Sequence, residues 1–238
     1  MHMLSFKKFI SEAFQLTLRY HDRLNPKLWS HDALKPHIAA QLLDMSSQFA
    51  AFSGLSKDAI SDIVLTGGNA NYNYTKFSDI DVHLIYTHAN KTPDELFDCK
   101  VQWSEAHPDA RIAGYNVEFF AQPADEKIKP HQGAWSLVQS KWIQVPKHLD
   151  DVAILKDPKM ISKVKHHMSV IRHLLARGSA AKIKQYRDRL KSMRVAGLER
   201  PGGEFSIENV LYKDLRNRGL LERLKLRQRE LTTAKKES

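Results

Sequence analysis

Cysteine is almost missing from this chain. Cys99 is its single cysteine in 238 residues, which excludes a disulfide framework and any cage of thiolate metal ligands. A reducing, cytoplasmic setting is the expectation that follows. No run of 18 or more apolar residues occurs, so no membrane-spanning helix is expected. A basic segment followed by an apolar stretch, the mark of a secretory leader, is also lacking. Internal repeats are absent, and low complexity is confined to the tail 232–238. What is present is a composition of 42% apolar and 9% aromatic residues, enough to build a core and to exclude a disordered chain. The length suits one large domain, or a core with an appendage.

The charge is uneven. Residues 1–150 hold 15 Lys+Arg and 17 Asp+Glu, a net of −2, whereas the last 88 residues hold 22 and 10, a net of +12. A basic second part suits an anionic partner such as nucleic acid or a polyphosphate, and it equally suits a solvated helical face.

Phe6, Phe9, Ile10, Ala13 and Phe14 recur at helical spacing, and residues 21–32, with Asn25-Pro26, read as a linker. Ala33 to Phe52 reads as a helix closed by Gly54. Ile63 to Thr66 is a short strand running into Gly67-Gly68. From Asp79 to Tyr86 the chain alternates: Ile80, Val82, Leu84 and Tyr86 face one way, Asp79, Asp81, His83 and Ile85 the other. Thr92-Pro93-Asp94-Glu95 opens a helix with a capping box and extends to about Ala106. Strands are expected over 112–122 and 133–145, and helices near 158–177, 180–197, 206–218 and 220–231, with Ser206 as an N-cap. The expected architecture is α/β (α+β): a short mixed sheet flanked by helices, then a basic C-terminal helical bundle. The expected divisions are 1–32, an N-terminal helix and linker; 33–146, the core; and 147–238, the basic helices.

The stretch richest in chemistry is Leu65-Thr66-Gly67-Gly68, ten residues, then Asp79-Ile80-Asp81-Val82. A glycine turn after a strand lets backbone amides approach an anion, and a helix starting there would add positive potential. Two aspartates at i and i+2 on a strand share a face and can hold hard divalent cations through oxygen. Glu118, between Val117 and Phe119, is the candidate third carboxylate, able to complete a metal site or take a proton from an attacking hydroxyl. The plain alternatives are a turn for Gly67 and Gly68, strand-start acids for Asp79 and Asp81, and an edge-strand surface acid for Glu118. Two acids on one face are costly unless paired or metal-bound.

The segment GGNANYNYTKFSDIDVHLIY, with the later NVEFF, resembles the signature of nucleotidyltransferases of the DNA polymerase β-like superfamily. The resemblance covers roughly residues 62–120. The wider set SDIDVHLIY, NVEFF, GAWSLVQSKWIQVP and MRVAGLERPGGEFSIENVLYKDLRNRG looks like a group of nucleotidyltransferase-like proteins of tailed bacteriophages. What the superfamily resemblance implies is transfer of a nucleoside monophosphate from an NTP to an acceptor hydroxyl with loss of pyrophosphate. Phosphates would lie on Gly67-Gly68, and Mg²⁺, or alternatively Mn²⁺, on Asp79 and Asp81, with Glu118 assisting. Many members have Gly-Ser at the turn; here the second residue is Gly68, and Asn69 or Ser78 is the candidate replacement for the missing hydroxyl.

Lys213 and Arg216, at i and i+3 in LYKDLRNRG, are candidate phosphate contacts; Arg187, Arg189, Lys191 and Arg194 form a second basic strip. His83 shares the aspartate face. Tyr72 and Tyr74 suit either base stacking or packing, Trp135 and Trp142 suit the core, and His166, His167 and His173 read as incidental. The expected partners are an NTP and an RNA or other polyanionic acceptor, such as an RNA or tRNA 3′ end. Nucleotide transfer onto a protein side chain, as in antitoxin-type members, and a non-catalytic nucleotide- or RNA-binding module stand as alternatives; an alarmone-synthetase-like transfer ranks lower. Met3 to Glu12 resembles the short head-targeting leaders of phage internal proteins, which end in Ile-x-Glu; the alternative is a docking helix.

Overall fold

The computed structural model describes residues 14–128, 132–148, 153–200 and 203–234. The first helix expected around 6–14 and the leader-like stretch 3–12 lie outside the described residues, apart from Phe14. The chain is a mixed α/β protein with a small mixed sheet and seven helices among the described residues. It divides into two compact units. One is Arg19–Asp150; the other takes the chain from Asp151 onward together with the N-terminal residues up to Leu18.

The first unit holds a six-stranded sheet. A hairpin of β1 (Trp29–Ser30) and β2 (Ala33–Leu34) leads into helix α1 (Pro36–Ser53). Strand β3 (Ile60–Thr66) pairs antiparallel with β4 (Ile80–Tyr86). Helix α2 (Pro93–Ala106) then carries the chain over to β5 (Arg111–Ile112) and β6 (Tyr115–Pro123), and β6 lies parallel to β4. Strands β7 (Ala134–Ser136) and β8 (Lys141–Gln144) finish the sheet, whose order is β5-β6-β4-β3-β7-β8. A parallel neighbour joined through a helix is what a βαβ crossover requires.

Local chemistry sets these elements. Pro36 fits the first turn of α1, and Gly54, at φ 75°, closes it in the left-handed conformation that a side chain disfavours. In α2 the Thr92 hydroxyl accepts from Glu95 N, and the Glu95 carboxylate accepts from Thr92 N at 2.8 Å. Those hydrogen bonds from Thr92 hold the Glu95 carboxyl below its ordinary range. Strand β4 alternates buried and half-buried along its whole length. Its buried set (Ile80, Val82 and Leu84) faces α1 and α2, where Phe49 stacks on Phe119 at 5.3 Å and Trp103 meets both rings edge-on. Burying each such aromatic is worth about 1.5–3 kcal/mol.

Three expectations are corrected. Residues 112–122 are not one strand: Ala113 (φ 53°) and Gly114 (φ 87°) form a tight turn between β5 and β6, the positive-φ pair that two-residue hairpins need. Residues 133–145 are a hairpin, with Ser140 at φ 51° in its turn. Residues 21–32 are more than a linker. Leu24, Leu28 and Trp29 belong to the core, and Asn25 is 1% exposed.

The second unit is helical: α3 (Ala153–Lys156), α4 (Pro158–Arg177), α5 (Ala180–Leu198), α6 (Ile207–Asn217) and α7 (Leu220–Ala234). Asp157, Ser179 and Ser206 cap α4, α5 and α6 through side-chain oxygens. Met160, Val164, Ile171, Ile183, Leu190, Leu211, Leu215 and Leu224 make its core. Asp214 is fully buried and organises the charge. It accepts from Thr17 N and Thr17 Oγ1, at 2.5 and 2.7 Å, and from Arg218 Nε at 2.6 Å. Arg218 also donates to Gln15 O and lies 4.6 Å from the centre of the Phe14 ring.

Asp214→Ala strips three donors of their acceptor and leaves the Arg218 guanidinium without its carboxylate. Urea unfolding is expected to show a loss of about 3–5 kcal/mol, the cost of removing one partner of a buried pair. A change below 1 kcal/mol contradicts this role.

His167 receives or gives a hydrogen bond with Tyr186 Oη at 2.7 Å. Burial first, then His166, Arg189 and Lys163, lower its pKa, while burial pushes the Tyr186 hydroxyl up to about 12. The fold therefore prefers neutral His167. Its contribution is complete above the ordinary histidine value and falls as pH drops through the lowered one. Between pH 7.5 and 5.5 the wild-type chain is expected to lose more stability than His167→Gln, as read by urea midpoints; parallel loss contradicts it.

Candidate functional site

The candidate site lies in the first unit, at the junction of β3, β4 and β6. Thr66, Asp81 and Glu118 occupy one row across these strands: Thr66 pairs with Asp81 in the antiparallel ladder, and Asp81 with Glu118 in the parallel one. Neighbouring strands lie about 4.8 Å apart, so alternation places Asp81 and Glu118 side by side on the same face. Ile80, Val82, Val117 and Phe119 hold the opposite face in the core.

The glycine turn meets this row. Gly67 has φ 74°, and a Cβ added there would stand 1.7 Å from Asp81 Oδ2. The Asp81 carboxylate thus rests on the backbone of Gly67, a contact that any side chain would block. A Cβ on Gly68 would come within 3.0 Å of the Ser78 hydroxyl. After Gly67 the chain makes a three-residue 3₁₀ turn, Gly68–Ala70. It does not begin an α-helix, so the condition for added helix-terminus potential is not met at this turn.

A set of buried asparagines fixes the turn. Asn69 is fully buried; its amide oxygen accepts from Asn25 Nδ2 at 2.7 Å, and its nitrogen donates to the carbonyl of Asp79 at 3.0 Å. Trp29 Nε1 donates to Asn69 O at 2.7 Å. Asn71 Nδ2 donates to Gly67 O at 2.6 Å, and Asn71 Oδ1 accepts from Gly133 N at 2.9 Å. Thr66 Oγ1 closes the circuit on Gly133 O. Ser78, 7% exposed, accepts from Thr75 N at 2.9 Å. Asn69 therefore positions Asp79, and Ser78 braces the loop over Gly68.

Gly67, Gly68, Asn69, Ser78, Asp79, Asp81 and Glu118 thus belong to one region. Asp79 and Asp81 are half-buried and engaged with neighbours. Glu118, whose side chain is 40% exposed, pairs with Lys100 Nζ at 3.0 Å. Carboxylate oxygens are the donors that Mg²⁺ and Mn²⁺ prefer, so the donor set fits in kind. Asp79 stands one residue before β4 and Asp81 within it. Among the described residues no group of three or more His, Cys, Asp or Glu is gathered to hold a metal ion.

His83 stacks on Phe120 with centroids 4.7 Å apart and shares a 2.5 Å hydrogen bond with Gln122. Tyr74 stacks on His21 at 4.0 Å, Tyr72 meets His148 edge-on, and burial raises both phenol groups. Trp29, Trp135 and Trp142 form one aromatic cluster, with Trp29 and Trp142 stacked at 4.8 Å.

Lys213 and Arg216 lie on α6 in the helical unit. Lys213 is 9% exposed and bonded to Glu204 at 3.2 Å. In the other basic strip Arg187 donates to Gln228, and Arg194 to Asn209 while lying over the Tyr212 ring; Arg189 and Lys191 are exposed. His166 and His167, with Lys163, Glu208 and Met193, line a half-open cavity of about 370 Å³ in this unit. Reading residue types alone missed Asn25, Asn71, Gly133 and Lys100. The one usable signal was asparagine at 69, 71 and 73, all three buried.

No family model matches the chain, and no curated protein matches it. A solved STING-associated CdnE c-di-GMP synthase from Capnocytophaga granulosa is similar to it over 79% of this chain and 63% of that one, at 13% identity and a TM-score of 0.21. The chain spans less than two thirds of that protein, and a likeness at this level assigns neither substrate nor product. Among the described residues no helix is long and apolar enough to cross a membrane.

Gly67→Ala puts a methyl group where the Asp81 carboxylate stands and strains a positive φ. The variant is expected to lose about 1–3 kcal/mol of stability and to shift the amide resonances of Asp81 and Val82. Unchanged stability and resonances contradict the contact.

Proposed function

We propose that this chain is a nucleotidyltransferase that moves a nucleoside monophosphate from an NTP to an acceptor hydroxyl and releases pyrophosphate. The supporting observation is the seating of the Asp81 carboxylate on the Gly67 backbone, in the same row as Glu118. An anion-accepting turn and a cation-binding acid are thereby adjacent, which is what binding of a metal–triphosphate demands.

The Gly67-Gly68 backbone approaches the phosphates without Cβ atoms in the way. Asp79 and Asp81 are the residues that would hold a divalent cation, which when bound neutralises the triphosphate and the departing pyrophosphate. Asn69 fixes Asp79 through its carbonyl, and Asn71 fixes Gly67 through its own. Ser78 keeps the loop over Gly68. Glu118 accepts the proton of the attacking hydroxyl. The phosphate contacts belong to the Gly67-Gly68 turn, whereas Lys213, in the helical unit, is neutralised by Glu204.

The acceptor class we favour is an RNA 3′ hydroxyl, on the net +12 of the last 88 residues. Transfer onto a protein side chain is the rival, and intact-mass analysis of co-expressed proteins is its test. Incubation with labelled ATP, CTP, GTP and UTP, Mg²⁺ or Mn²⁺ and total RNA is expected to transfer label and release pyrophosphate. Asp79→Asn with Asp81→Asn should lower the rate by about 10²–10³ or more, the scale for losing a preorganised electrostatic partner. RNA affinity should fall steeply with salt. Absence of transfer to RNA and to protein with every nucleotide and metal contradicts the reading.

A further inference from the structure

Glu118 already has a cation. Lys100 projects from α2 so that its Nζ lies 3.0 Å from Glu118 Oε2 and 3.8 Å from the centre of the Phe120 ring. Glu118 and Phe120 are two residues apart on β6 and so share a face. The ammonium is held between a carboxylate and an aromatic face, with 18% of the lysine side chain exposed. Glu118 is at the same time the cross-strand partner of Asp81.

A divalent cation shared by Asp81 and Glu118 needs the oxygen that Lys100 holds. It would also bring two positive charges against a third, and like charges at such range repel strongly in a half-buried setting. The ammonium and the metal therefore exclude one another at Glu118.

We propose that Lys100 is a built-in competitor for the divalent cation. It occupies Glu118 while the metal is absent and must swing away before three carboxylates can act together. This rests on the reading of Asp79 and Asp81 as a cation site. The lysine sets a threshold: the metal concentration, or the metal-bound triphosphate, must be high enough to displace it.

The test is Mn²⁺ titration of the full chain, read by the electron paramagnetic resonance of free Mn²⁺. Lys100→Met is expected to tighten Mn²⁺ binding about five- to tenfold, the scale of a part-exposed ion pair with an added ring contact. Lys100→Arg, which keeps the charge, should stay close to wild type. A double-mutant cycle separates the specific effect from a general change of charge: in a Glu118→Gln background the gain from Lys100→Met should vanish. Unchanged affinity in Lys100→Met overturns the competition, as does a gain that survives in Glu118→Gln. Asp79→Asn with Asp81→Asn distinguishes the two levels. If this pair abolishes Mn²⁺ binding while Lys100→Met does nothing, the competition alone falls. If the pair leaves Mn²⁺ binding intact, or if neither wild type nor Lys100→Met binds Mn²⁺, the cation-site reading falls and the competition with it.

Discussion

The contact between the Asp81 carboxylate and the Gly67 backbone governs the rest of the site. A carboxylate half-removed from water must be compensated by partners, and a turn at φ 74° must be held by its surroundings. Both requirements are met at one point, because Thr66 and Asp81 are paired in the β3–β4 ladder. Gly67, just after β3, therefore emerges beside Asp81, the second residue of β4. Glycine is required here by the space that Asp81 occupies as well as by the backbone angle.

Around that contact the molecule spends polar groups where a simpler fold would place apolar ones. Asn25, Asn69 and Asn71 are buried: Asn25 bonds to Asn69, Asn69 to the carbonyl of Asp79 just before β4, and Asn71 to the turn at Gly67. Buried amides are tolerable only when satisfied, and a satisfied network specifies one arrangement. The network joins residues 25–29, the loop after Gly68 and Gly133, three segments far apart in sequence. Rigidity of this kind suits a site that must hold charge in a fixed geometry.

Much of this was legible in the residues. The alternation from Ile80 to Tyr86 is faithful to the burial of β4. The capping box at Thr92 and the N-cap at Ser206 are local chemistry and stand where local chemistry placed them. The helix expected over 158–177 matches α4. The spacing of Gly67, Asp79 and Asp81 marks a candidate site in the sequence; the asparagines that support the turn carry no such mark. Asn25-Pro26 looks like a linker because its partners lie 44 residues away, and no local pattern reports such a bond. The turns at Ala113 and Ser140 were hidden because alanine and serine seldom take positive φ. Lys100 was hidden because a lysine on a helix carries no mark of the strand it reaches. Asn69, a candidate substitute for the hydroxyl missing at the turn, instead directs its side chain inward to the carbonyl of Asp79.

The central claim is that turn and acids together receive a triphosphate and its cation. Anomalous diffraction from crystals grown with Mn²⁺ and a non-hydrolysable NTP measures this directly. The account predicts a manganese peak bounded by Asp79 and Asp81, with phosphate density over the Gly67-Gly68 backbone. Manganese and nucleotide bound elsewhere, or a turn still closed with no nucleotide at saturating concentration, would contradict it.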